Sequence, residues 1–129
     1  MPGKVYYDPF LLRIYNGVPS FETVRVTSIG FKCDSFVYIN IACVMREFPP
    51  SPPRHWAGFN QLSLTLQVGV VRSTDVRRVS MCEFPSDIRF LVHDDCIDVS
   101  IAGGVEAVVR ADDVLVGDLR PYADGNPYR

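Results

Sequence analysis

A chain of 129 residues, 47 % hydrophobic and 22 % charged, has the size and make-up of one globular domain, which excludes a disordered or fibrous protein. A net charge of −2 argues against sequence-independent binding of nucleic acid, which requires many phosphate-neutralising cations. No apolar run approaches the roughly 20 residues that cross a bilayer, and the first eight residues lack the apolar stretch of an export signal. A single domain over 1–129 is therefore expected, in the cytosol, with neither nucleic acid nor membrane as partner.

The first element is a short helix. Asp8 can accept bonds from the free N–H groups of a first turn, and Pro9 fits the first helical position. Phe10, Leu11, Ile14 and Tyr15 give it an apolar face, and Asn16-Gly17 supplies a left-handed stop. Val18-Pro19-Ser20-Phe21 then turns the chain into strands.

Glu22 to Phe31 is β-branched, but its apolar parity switches from Val24 and Val26 to Ile29 and Phe31. One extra residue flips the inward face, so the switch predicts a bulge near Thr27-Ser28. After a turn at 32–35, residues 36–44 are apolar on both faces, as in a central strand. The four prolines of Phe48-Pro49-Pro50-Ser51-Pro52-Pro53 cannot donate backbone hydrogen bonds. They predict a stiff connector leading to Trp56 and Phe59, which close one end of a core. Gln61 to Val70 then alternates strictly, with Leu62, Leu64, Leu66, Val68 and Val70 on one side, as a half-buried strand requires.

Weaker alternation marks strands near 75–82, 87–93, 96–102, 105–111 and 113–119. Asp94-Asp95 and Gly103-Gly104 sit between them as tight turns. The fold class is mainly β: an antiparallel sandwich or strongly bent sheet of about seven to eight strands with one short N-terminal helix.

Signs of chemistry are sparse. Cys33, Cys43, Cys82 and Cys96 contain no CxxC pair, so no metal site is expected and the thiols read as reduced. Cys43 falls in phase with Val37, Ile39 and Ile41 and reads as a small buried hydrophobe. The two histidines, His55 and His93, lie in no nucleophile–base motif, and no phosphate-cradling glycine loop is present. Adjacent Asp94 and Asp95 would point to opposite faces of a strand and cannot form a glycosidase pair unless the turn redirects them. Neither a catalytic residue nor a cofactor is expected, and the protein reads as a non-enzyme.

One resemblance gives direction. The run Leu11-Leu12-Arg13-Ile14-Tyr15-Asn16-Gly17-Val18-Pro19-Ser20-Phe21 is followed by Pro49, Pro52-Pro53, Trp56 and Phe59-Asn60, then by the alternating strand ending Val68-Gly69-Val70. In that order it resembles the immunity protein 50 family of bacterial polymorphic-toxin systems, from about Asp8 to Tyr122. The chain departs from the family as pictured at Arg77–Phe84, where a Gly-Trp pair is missing. The resemblance implies a cytosolic protein that neutralises a co-encoded toxin by stoichiometric occlusion. Its motif residues, Gly17, Pro19, Pro52, Pro53, Trp56, Phe59 and Asn60, read as structural.

Specificity should then sit on polar strand faces and hairpin tips, where binding energy concentrates in aromatic and Arg anchors. Arg72, Arg77 and Arg78 with Tyr38 form one candidate contact group. Asp94, Asp95, Asp112 and Asp113 form another. Residues 57–129 carry seven Arg and eleven Asp/Glu, net −4, which suits a basic partner such as a nuclease toxin. The protein itself is expected to be a monomer or a weak homodimer. The alternative reading is a small-ligand-binding β protein whose mouth is lined by Tyr6, Tyr7, Trp56 and Phe59.

Overall fold

Capping residues define where the chain first becomes helical. In the structure, a computed structural model that describes residues 3–79 and 84–124, the Asp8 carboxylate accepts from Phe10 N–H at 2.9 Å. It thereby starts α1 (Pro9–Ile14). Asn16 (φ 58°) and Gly17 (φ 138°) enter the left-handed region, and Gly17 N–H closes on the Leu12 carbonyl at 2.8 Å. Leu11 and Ile14 are buried.

The remaining elements are a single 3-10 turn at Arg54–Trp56 and strands. The strands are β1 (Lys4–Tyr7), β2 (Arg25–Cys33), β3 (Val37–Val44), β4 (Gln61–Val79), β5 (Ser86–Val92), β6 (Ile97–Gly103) and β7 (Val105–Tyr122). They form one sheet in the order β2-β3-β4-β7-β6-β5. The pairing is antiparallel throughout, except that β1 adds in parallel along residues 113–116 of β7.

The expected pair of strands 61–70 and 75–82 is instead one strand, β4, and the pair 105–111 and 113–119 is likewise one, β7. Residues 80–82 lie outside the described part of the chain. The β4–β7 ladder survives three register shifts, at Ser63/Thr65, Val71/Ser73 and Val76/Arg78. Val70, expected to face the core in the alternating series, instead takes φ 51° and is only half-buried. Each bulge resets the inward parity and bends the strand without ending it. Past Val70 the reset coincides with polar Arg72-Ser73-Thr74-Asp75, and there it reads in the sequence as a strand end. The expected bulge in β2 is present, between Val26 and Ser28.

Because β4 and β7 bend together, the sheet consists of two facing halves. One contains β2, β3, the first part of β4, the last part of β7 and β1. The other contains the remainder of β4 and β7 with β6 and β5. Ile39, Ile41, Leu64 and Leu66 on one inner face and Val99, Ile101, Ala107 and Val109 on the other belong to a single buried cluster. Burying a leucine as completely as Leu64 contributes roughly 1.5–3 kcal/mol.

The segment leading into β2 meets the start of β5, where Ile88 N–H donates to the Phe21 carbonyl at 3.0 Å. Val24 and Ser86 form an isolated antiparallel bridge, with N–H···O distances of 2.9 and 2.8 Å. Beyond it β2 and β5 diverge and the sheet stays open.

The proline loop is anchored to the helix. Ser51 N–H donates to the Ile14 carbonyl at 3.1 Å, and the Tyr15 hydroxyl donates to the Glu47 carbonyl at 2.7 Å. Burial raises the Tyr15 pKa well above its ordinary range, with Cys43 and Glu47 adding to the effect. Trp56, 6 % exposed, meets Phe10 edge-on with ring centroids 5.6 Å apart. Pro19 is buried, Pro52 is exposed and Pro53 is half-buried, and the Pro53 carbonyl accepts from Trp56 N–H at 3.0 Å. Phe59 is partly exposed. Asn60 fastens the end of β7: its Nδ2 donates to the Asp124 carbonyl at 3.0 Å, and Asp124 N–H returns to Asn60 Oδ1 at 2.8 Å. No helix among the described residues is long and apolar enough to cross a membrane.

Candidate protein-binding face

Strand alternation in β7 turns Val105, Ala107, Val109 and Ala111 inward and leaves Glu106, Val108 and Arg110 on the outer face. The register extends those outer positions into rows across the half-sheet. Arg110 stands opposite Asp98 of β6 and Ser73 of β4. Val108 stands opposite Ser100 and Asp75. The outcome is a broad polar face with two apolar side chains on it, Val108 (43 % exposed) and Leu91 (60 % exposed).

Its charges are ordered by cross-strand bonds. Arg110 grips Asp98 with two of them, Nε to Oδ1 at 2.8 Å and Nη2 to Oδ2 at 3.0 Å. His93 Nε2 lies 2.9 Å from Asp98 Oδ2. The Arg110 hydrogen bonds, and then that of His93, hold the Asp98 carboxyl down at about 2. The same pairing raises the Arg110 guanidinium. Two rows away, Arg78 Nη2 donates to Glu106 Oε1 at 2.7 Å and to the Gly103 carbonyl at 3.0 Å. Arg77 is 3.4 Å from Asp75.

Arg72 joins what the sequence leaves as two separate groups. Its Nε donates to Asp112 Oδ1 at 2.8 Å, its Nη1 to Asp95 Oδ2 at 3.3 Å and its Nη2 to the Asp95 carbonyl at 2.8 Å. Hydrogen bonding to Arg72 lowers the Asp95 carboxyl, and bonding to Asp112 raises the guanidinium in turn. Of the expected basic group only Arg72 meets the acidic group, at Asp95 and Asp112, while Arg77 and Arg78 pair with Asp75 and Glu106.

Asp94, Asp113 and Tyr38 do not join these pairs. Asp94 is exposed at the tip of the β5–β6 hairpin. Asp113 lies with Tyr38 over Gly69, where an added Cβ would stand 2.9 Å from Asp113 Oδ1 and 3.4 Å from Tyr38 Cε1. A side chain at 69 would make the Asp113 carboxylate shift. Asp98, Arg110, His93 and Glu106 were not singled out as contacts by the sequence. The alternation over 105–111 already places Glu106 and Arg110 on the wet face and was the available signal.

The arrangement presents fixed donors and acceptors. Among the described residues no group of three or more His, Cys, Asp or Glu could hold a metal ion. His55 lies against the Trp56 ring edge at the proline loop, while His93 is on the β5–β6 hairpin, so the two histidines belong to different ends of the chain path. The opposite half-sheet has a shallow open trough of about 390 Å³ lined by Ser28, Asn40, Thr65 and Gln67 among others. Of the aromatics named for a ligand mouth, Tyr6 and Tyr7 lie on β1, Phe59 is at the surface and Trp56 is packed in the core.

No protein-family model matches the chain, and no curated protein or solved structure shows significant similarity to it.

Proposed function

We propose that this protein acts by binding another protein, and that it neutralises a cognate toxin by stoichiometric occlusion in the cytosol of the cell that makes both. The observation that carries the reading is the Arg72–Asp95–Asp112 and Arg110–Asp98–His93 array. It spans exposed strands around Val108 and Leu91. Exposed ion pairs contribute little to stability, so an ordered series of them on one face is better explained as a preorganised contact surface. Arginine anchors and a small apolar centre inside a polar rim are the ingredients of protein interfaces. The resemblance to immunity proteins, carried by Gly17, Pro19, Trp56 and Asn60, supplies the toxin as the partner. The net −4 of residues 57–129 favours a basic one, such as a nuclease.

The test is co-expression with the product of the neighbouring toxin-like gene. Wild type should protect the cells and co-purify with the toxin, whereas Val108→Asp/Arg110→Ala should fold but lose both properties. Full protection by that variant would move the contact to another face. Absence of any complex with wild type would remove the reading.

A further inference from the structure

The open side of the sheet has features that the polar face does not use. Strand β2 is the first in the sheet order, and past the Val24–Ser86 bridge its outer edge is unpaired among the described residues. The second part of β4 is also one-sided. Its β3 partner spans only residues 63–68 of β4, so residues 71–79 pair with β7 alone among the described residues.

Between these two edges lies a groove of about 250 Å³, with Val26 and Val105 among its lining residues. Its walls are Ile29 and Phe31 from β2 and Val76 and Val79 from β4. Phe31 is 61 %, Val76 47 % and Val79 58 % exposed. The bulge at Val26/Ser28 is what turns Ile29 and Phe31 toward this side. A nine-residue edge strand beside exposed apolar side chains is a ready template for another strand, and natural proteins usually blunt such edges.

We propose that this groove is a strand-addition site for an extended segment of a partner protein, with apolar side chains at alternate positions and acidic ones between them. Backbone pairing to the β2 edge supplies affinity, and alternate side chains entering the groove supply register.

The charges select the occupant. β2 contributes Arg25 and Lys32 and no acid, while residues 71–79 contribute Arg72, Arg77 and Arg78 against Asp75. These two segments carry net +4 in a chain of net −2. Discounting Arg72 and Arg78, already held by Asp95, Asp112 and Glu106, leaves +2. A second copy adding its own β2 would set one basic strand beside another, so charge disfavours it.

The site is independent of the toxin reading, and its test uses a synthetic probe. An eight-residue fluorescent peptide alternating valine and glutamate is titrated with the intact protein and followed by anisotropy. Saturable binding is expected. It should weaken at least about tenfold, or 1.4 kcal/mol, when alternate peptide amides are N-methylated, when lysine replaces glutamate, and in Phe31→Asp or Val76→Asp. Both substituted side chains are exposed, so the variants should fold. The N-methylated peptide tests backbone pairing with the protein unchanged. Three results would overturn the proposal: no saturation, equal binding of the N-methylated peptide, or equal binding of the lysine peptide. A concentration-dependent dimer abolished by Phe31→Asp would give the edge to a second copy and also overturn it.

Discussion

Arg110 of β7 holds Asp98 of β6 through two hydrogen bonds, at 2.8 and 3.0 Å, directly across the strand pair. The bonds favour the ionised carboxyl and depress its pKa from 3.8 to about 2. A group whose folded pKa is lowered stabilises the fold above its unfolded pKa, and that contribution disappears as pH falls through the folded value. Stability measured by denaturant titration should therefore drop between pH 3.8 and about 2, and drop less steeply in Asp98→Asn. Identical slopes for variant and wild type would show that the pair does not couple to folding.

Trp56 and His55 are neighbours in sequence with opposite surroundings. Trp56 is buried against Phe10, and His55 is exposed. Trp56→Ala should cost about 3–5 kcal/mol, the range for deleting a large buried aromatic. His55→Ala should cost well under half of that. Equal small shifts in urea midpoint would take Trp56 out of the core.

Gly103 sets the β6–β7 turn at φ +139°, and a Cβ there would come within 2.4 Å of the Pro85 carbonyl oxygen and 2.8 Å of Ser86 Cα. Both obstacles are backbone and cannot swing aside. Gly103→Ala should destabilise by about 1–3 kcal/mol, as expected for a side chain forced into a disallowed conformation. Gly17→Ala, where nothing lies within 4 Å of the added Cβ, should cost less in the same thermal-melt series.

The thiols divide by burial. Cys33 is exposed, while Cys43 and Cys96 are buried and free. Burial pushes the Cys43 thiol up to about 12, so almost no reactive thiolate exists near neutral pH. Maleimide labelling of native protein, mapped by mass spectrometry, should modify Cys33 first of these three and Cys43 only after unfolding. Rapid native labelling of Cys43 would contradict its place on the buried face of β3.

Local chemistry was legible in the sequence. Asp8-Pro9 and Asn16-Gly17 mark the helix ends because caps act within one turn, and the flipped parity of Val26 and Ile29 marks the bulge. The turns at Asp94-Asp95 and Gly103-Gly104 are legible for the same reason. The continuity of β4 was hidden, since a positive φ at Val70 and two later register shifts imitate a strand end. β1 was missed because four residues pair in parallel with a partner more than a hundred positions away. The site was half legible. Alternation puts each charge on its face, but the meeting of Arg72 with Asp95 and Asp112 follows from how β4, β7 and the β5–β6 hairpin are laid side by side. No local pattern encodes that.

The most direct measurement is a calorimetric titration of the purified protein into the proposed cognate toxin, with toxin activity assayed at every step. Stoichiometric occlusion predicts saturation at one protein per toxin, with activity falling to zero at the same ratio. Val108→Asp/Arg110→Ala should bind at least about tenfold more weakly, or 1.4 kcal/mol, while still unfolding in one cooperative transition. No heat of binding, with the toxin fully active in excess protein, would contradict the account.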